Sequence, residues 1–239
     1  MARRCLVLGG SGYIGAEVCR VLLEQGAQVA FTYWRNEIQI PGALALRADL
    51  RDFAQTVEAV ERAAAHLGGL DVLVQCAGTA GDPALYKGKG IAQERLQKIS
   101  EAGWDDMMDL TVKGSFSACQ AAGRAMDVGS QIVIIGSMDG VKTVPSPAHY
   151  AAGKGALRAM VQALAKELGG RGILVNMLAP GILDGGVAKL LSDELLQEYL
   201  KHCSLKRTGT AHEVAQFVSW LAMENTYVTG QAIVLDGGL

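Results

Sequence analysis

Residues 4–26 read RCLVLGGSGYIGAEVCRVLLEQG, and this stretch decides the fold. Arg4 to Leu8 is a short apolar run, a glycine-rich turn follows at once, and AEVCRVLLEQG then repeats apolar residues at helical spacing. Strand, glycine turn and helix in that order are the setting of a dinucleotide fingerprint. Glycines let backbone approach a pyrophosphate, and a helix N-terminus offers free N–H groups and partial positive charge. Gly9, Gly12 and Gly15 alone say little; between a first strand and a first helix they carry weight. The loop Gly9, Ser11, Gly12, Tyr13, Ile14 and Gly15 is therefore the expected cofactor cradle.

Working outward, QVAFTY (residues 28–33) reads as a second strand. It runs into Trp34-Arg35-Asn36, with no acid until Glu37. NAD binders usually end this strand on an acid that holds the ribose 2′-OH, whereas an arginine suits a 2′-phosphate. Arg35 thus points to NADP(H) over NAD(H); the plain alternative is a solvated turn charge. Leu44 to Ala48 is a third strand ending in Asp49-Leu50. Asp49 either accepts a hydrogen bond from an adenine amino group or caps a helix starting near Arg51. The helix DFAQTVEAVERAAAHLG leads to a fourth strand, LDVLVQCAG, whose end Cys76-Ala77-Gly78 is small enough for a flat cofactor to lie against.

Residues 79–103 form an irregular insertion, read as a mobile loop with one short helix or as a solvated excursion. Trp104 to Met126 reads as one long helix with small residues on part of its surface. Strand five is Gln131 to Ile135, a helix runs from Tyr150 to about Leu168, and strand six, GILVNMLAPG, ends in Pro180-Gly181. The amphipathic residues 183–206 suit a substrate lid. The helix AHEVAQFVSWLAM and the strand GQAIVLDGG finish the chain. Strands alternate with helices without linker or repeat, which predicts one α/β domain over 1–239, doubly wound and Rossmann-type, its parallel sheet flanked by helices on both faces.

The second decisive stretch is SMDGVKTVPSPAHYAAGK, residues 137–154. Tyr150 and Lys154 are four apart, so a helix puts phenol and ammonium on one face. A nearby cation favours the phenolate and makes Tyr150 a proton donor and acceptor nearer neutral pH. Pro145 and Pro147 keep the preceding segment out of a helix and bend Ser137 back over Tyr150. An ordinary helix face is the bland reading of a Tyr-x-x-x-Lys; the upstream serine favours chemistry.

Half of the residues are apolar, 19% are charged and the formal charge is -2, which gives no reason to expect nucleic acid or an anionic membrane as partner. The longest apolar runs fall far short of the roughly 20 residues that span a bilayer. The start is read as strand one of a mature cytoplasmic protein. Five scattered cysteines without C-x-x-C spacing argue against disulfides and zinc, and the four histidines show no ligand spacing either.

Together GGSGYIG, ADL, CAG, the Trp104 to Phe116 helix, Ser137 with Tyr150 and Lys154, NMLAPG and TGQAIVLDGG resemble the short-chain dehydrogenase/reductase (SDR) family. The closest look is to 3-oxoacyl-[acyl-carrier-protein] reductases. The resemblance implies that Tyr150 moves the proton, that Ser137 hydrogen-bonds the substrate carbonyl and that Lys154 holds the nicotinamide ribose and lowers the phenol pKa. It implies that Pro180, Gly181 and Ile182 contact the nicotinamide. It further implies a small-molecule or acyl-thioester substrate, and a homodimer or homotetramer built on the helices at 104–126 and 150–168.

Three departures stand out. Thr111 occupies the family's usual asparagine position, where a hydroxyl can still order a water. Tyr13 replaces the second loop glycine, giving the GxxGxxG spacing of the extended branch. The 78–104 segment is longer than usual. The expected function is reduction of a ketone to a secondary alcohol, or the reverse. The alternatives are a dinucleotide-binding regulator with weakened catalysis and an enoyl-thioester or sugar-nucleotide enzyme on the same fold.

Overall fold

The computed structural model describes residues 2–86 and 91–239. Its elements in chain order are β1 (Arg4–Leu8), α1 (Tyr13–Glu24), β2 (Gln28–Tyr33), β3 (Ala43–Arg47), α2 (Phe53–Leu67), β4 (Val72–Gln75), α3 (Ile91–Lys98) and α4 (Glu101–Met108). There follow α5 (Gly114–Ala125), β5 (Gln131–Ile135), α6 (Ala148–Gly169), β6 (Leu174–Pro180), α7 (Asp193–His202), α8 (Ala211–Met223) and β7 (Ala232–Leu235). All seven strands pair in parallel in the order β3-β2-β1-β4-β5-β6-β7. Growth of the sheet reverses between β1 and β4, and ligands of such sheets bind outside the carboxyl strand ends at that switch.

The strands are apolar almost throughout because both faces are covered. Leu6, Leu8, Ile132 and Ile134 pack toward α2, α5 and α6. Their neighbours Cys5, Val7, Val133 and Ile135 pack toward α1 and α8. That alternation is the two-residue period of the pleat.

Four local expectations are corrected. Helix α2 starts at Phe53 because the Asp52 carboxylate accepts from the Gln55 N–H, so Asp49 is not its cap. The long helix begins earlier, at Glu101 behind a Ser100 cap, and a π turn at Asp109–Lys113 interrupts it. There the Ser115 hydroxyl donates to the Thr111 carbonyl at 2.6 Å. Its small residues serve the interior: a Cβ on Gly114 would meet the Leu50 carbonyl oxygen at 2.4 Å. The amphipathic 183–206 run splits into a 3-10 turn, Gly186–Leu190, and α7, because the Ser192 hydroxyl accepts from the Leu195 N–H and restarts the helix. In the insertion, residues 87–90 lie outside the described ones. Leu85, Tyr86 and Arg95 are buried, so part of the insertion packs inward, while Asp82 to Ala84 and Leu96 lie exposed to solvent. Among the described residues no helix is long and apolar enough to cross a membrane.

Candidate active site

The cradle forms where β1 turns into α1. Gly9 has φ +73, and a Cβ there would lie 2.8 Å from the Ala77 backbone, so the loop closes on the end of β4 only without a side chain. The Gly9 N–H donates to Thr32 Oγ1 at 2.9 Å, which ties the loop to β2. Gly12 caps α1 with no side-chain acceptor, and the first turn carries no acid. The opening N–H groups therefore remain available to an anion, and the residues fit a dinucleotide pyrophosphate. Ile14 and Gly15 line the adjoining cavity, and Ser11 sits at the outer rim.

At the ends of β2 and β3 the guanidinium of Arg35 stacks 3.7 Å from the Trp34 ring centroid, and that of Arg51 lies 4.0 Å from it. Arg47 Nε donates to the Trp34 carbonyl at 3.3 Å. Arg35 is exposed and has no carboxylate partner among the described residues. Asp49 is gripped by Arg51, at 2.9 and 2.8 Å on its two oxygens, and those hydrogen bonds hold it below the usual carboxylate range. Leu50 beside it is buried. The Glu37 carboxylate accepts from the Tyr33 hydroxyl at 3.1 Å.

At the other end, Cys76, Ala77 and Gly78 leave β4. A Cβ on Gly78 would sit 3.5 Å from Lys154 Nζ. Burial pushes the Cys76 thiol up, so it stays protonated. Pro180, Gly181 and Ile182 form the facing wall, where the Gly181 N–H donates to the Leu235 carbonyl at 2.9 Å.

Pro147 caps α6, which starts at Ala148, so Tyr150 and Lys154 share a face as expected. Lys154 Nζ lies 5.6 Å from the Tyr150 ring centroid and 3.4 Å from the Ile135 carbonyl oxygen. Gly140 permits the approach of the Ser137 turn, since a Cβ there would lie 2.5 Å from the Lys154 carbonyl. Ser137 and Tyr150 line the same cavity.

Two expectations change here. Burial first, and the Asp139 charge second, push the Tyr150 phenol up to about 12 instead of lowering it. Burial brings Lys154 down to about 8, with Asp139 opposing. Desolvation outweighs the neighbouring cation. The Ser137 hydroxyl donates to Asp139 Oδ2 at 2.5 Å, because a carboxylate is the strongest acceptor in reach.

Thr111 lies against α6, its Cγ2 3.5 Å from where a Gly153 Cβ would be, but its hydroxyl is buried and donates to Met107 Sδ at 3.4 Å. Tyr13 hydrogen-bonds Asp184, and its ring covers Gly185 and Gly186. This bond joins the glycine loop to the segment following β6.

Gly12 to Gly15, Cys76, Gly78, Ser137, Tyr150 and Pro180 to Ile182 line one cavity of about 760 Å³, walled mainly by apolar atoms, whereas Arg35, Asp49, Leu50, Thr111 and Lys154 are not among its lining residues. Sequence reasoning passed over Asp139, Tyr86, Arg95 and Asp184, which also line or brace it. Asp139 had a signal, lying two residues from Ser137. Arg95 had none, because an insertion gives no periodicity from which to read burial.

A family model described as Enoyl-(Acyl carrier protein) reductase matches residues 11–239. The 3-oxoacyl-[acyl-carrier-protein] reductase FabG of Staphylococcus aureus is 31% identical over 253 residues, covering 100% of this chain and 98% of its own. A short-chain dehydrogenase/reductase from Serratia marcescens superposes with TM-score 0.86 at 31% identity, over 99% of this chain and 97% of that one. A short chain dehydrogenase from Burkholderia cenocepacia, solved in complex with NADP, gives 0.84 at 30% identity over the same shares, 99% and 97%. With this match over its whole length, the chain belongs to the short-chain dehydrogenase/reductase family and is an NAD(P)-dependent oxidoreductase.

Proposed function

We propose that the protein uses NADP(H) to reduce a ketone to a secondary alcohol, or catalyses the reverse, with Tyr150 as general acid or base. The observation that carries this reading is that Ser137 and Tyr150 line a cavity that also reaches the uncapped N-terminus of α1, with Lys154 Nζ 5.6 Å from the Tyr150 ring centroid. When bound, the nicotinamide exchanges a hydride with the substrate carbon. Gly9, Gly12 and Gly15 would hold the pyrophosphate. Lys154 would hold the nicotinamide ribose, with Pro180 to Ile182 against the ring. Arg35, with Arg47 and Arg51 around Trp34, suits a 2′-phosphate, and the NADP-bound Burkholderia relative supports that preference.

With its pKa raised to about 12, the Tyr150 phenol is protonated at neutral pH and ready to donate to a nascent alkoxide. Lys154, near 8, is mostly charged there and steadies the oxygen that loses the proton. The turn and helix of 183–206 would cover the substrate. The exposed Phe53 and Phe116 rings, 6.5 Å apart, support self-association through the α5 side as a homodimer or homotetramer.

The test is oxidation of NADPH and NADH with matched ketones, 3-oxoacyl thioesters and enoyl thioesters. The expected result is turnover of a carbonyl substrate, with NADPH favoured at least about tenfold, one such step being about 1.4 kcal/mol. Turnover confined to enoyl thioesters, the activity in the family model's description, would replace the ketone reading. Tight NADPH binding with no oxidation would favour a regulator.

A further inference from the structure

Arg95 is 6% exposed, yet it lines the cavity that holds Tyr150. Its Nε donates to the Leu85 carbonyl at 2.9 Å, and its guanidinium carbon lies 5.9 Å from the Tyr86 ring centroid. Those two contacts fix the fork without using its terminal nitrogens, which have no protein acceptor among the described residues. The other charges on the wall are engaged. Asp139 holds the Ser137 proton, and Glu198 is paired with Lys201 and His202. A buried cation without a counter-charge is unfavourable unless a ligand completes it. The Ser146 hydroxyl lines the same cavity, its oxygen buried and without a hydrogen-bond partner among the described residues. The Tyr86 phenol is in electrostatic reach of Arg95, Tyr150 and Asp139 at once, which places Arg95 in the region of the reacting groups.

We propose that Arg95 and Ser146 bind a carboxylate of the substrate, so that the natural substrate is an apolar oxo acid or hydroxy acid rather than a neutral thioester. A planar guanidinium fork matches a carboxylate in two parallel hydrogen bonds. One cation, set among Val144, Pro145, Leu191 and Leu195, matches one negative charge on an otherwise apolar body. This inference rests on the reductase reading of the cavity and names its substrate class.

The test uses three matched series: oxo acids, their methyl esters and their N-acetylcysteamine thioesters. Binding to the NADPH-loaded protein is measured by calorimetry, and hydride transfer is followed separately. The wild type should bind acids about 10- to 100-fold more tightly than either neutral series, the range of a hydrogen-bonded charge. Arg95→Met should bring that ratio close to one, and Arg95→Lys should restore part of it. Should Arg95→Met not fold, the wild-type ratio and Arg95→Lys still decide. Equal or better binding of esters or thioesters by the wild type, or an acid preference that survives Arg95→Met, overturns the proposal. Acid-selective binding without hydride transfer in any series would uphold the anion pocket and remove the reductase reading.

Discussion

Asp139 sets the electrostatics around Tyr150, the proposed proton donor. It takes the Ser137 proton, and its charge raises both Tyr150 and Lys154 beyond what burial alone would give. A phenol at about 12 suits reduction at neutral pH, where it gives up a proton, while oxidation of an alcohol needs the phenolate. The sign of a substitution follows. Asp139→Asn keeps an acceptor for Ser137 but removes the charge, so the phenolate becomes easier to form and the Tyr150 pKa falls. The pH profile of alcohol oxidation should move to lower pH, read from kcat/KM across the alkaline range. An unchanged profile, or one moved to higher pH, would mean that the carboxylate does not act on the phenol. The sequence made Ser137, Tyr150 and Lys154 legible by spacing. It could not show that desolvation outweighs the ammonium, because burial depends on what folds over the group.

Elements were legible where local chemistry is strong. Helix α8 matched its expected run because Thr210 and Glu213 form a reciprocal capping box, a signal written in four consecutive residues. Thr210→Ala should destabilise the protein by about 1 kcal/mol in urea unfolding, with the slope unchanged. A loss within error of zero would show that the α8 start is held by packing alone. The elements that were misread are those governed by distant partners. The π turn at Asp109–Lys113 packs beside Gly153 of α6, and Arg95 is held by Leu85 and Tyr86. The inward turn of Arg95 within the irregular residues 79–103 is not written in its neighbours along the chain. Asp49 looked like a cap, but Asp52 took that role while Arg51 captured Asp49.

At the scale of the molecule, the parallel sheet brings the ends of β1, β4, β5 and β6 to one rim, where residues far apart in sequence meet. This much followed from alternating strands and helices, since the glycine loop fixes which end binds. The shape of the cavity did not follow, because the 183–206 and 79–103 segments wall it through tertiary contacts such as Tyr13 with Asp184. The central claim is that this rim aims the Tyr150 proton at an oxygen while the nicotinamide serves the carbon. Single-turnover NADPH oxidation by a reducible ketone, in wild type and Tyr150→Phe, tests it most directly. The account predicts NADPH affinity within about threefold of wild type, under 1 kcal/mol, and a transfer rate lower by about 10²–10⁴-fold. Transfer at a near-wild-type rate in Tyr150→Phe would contradict it.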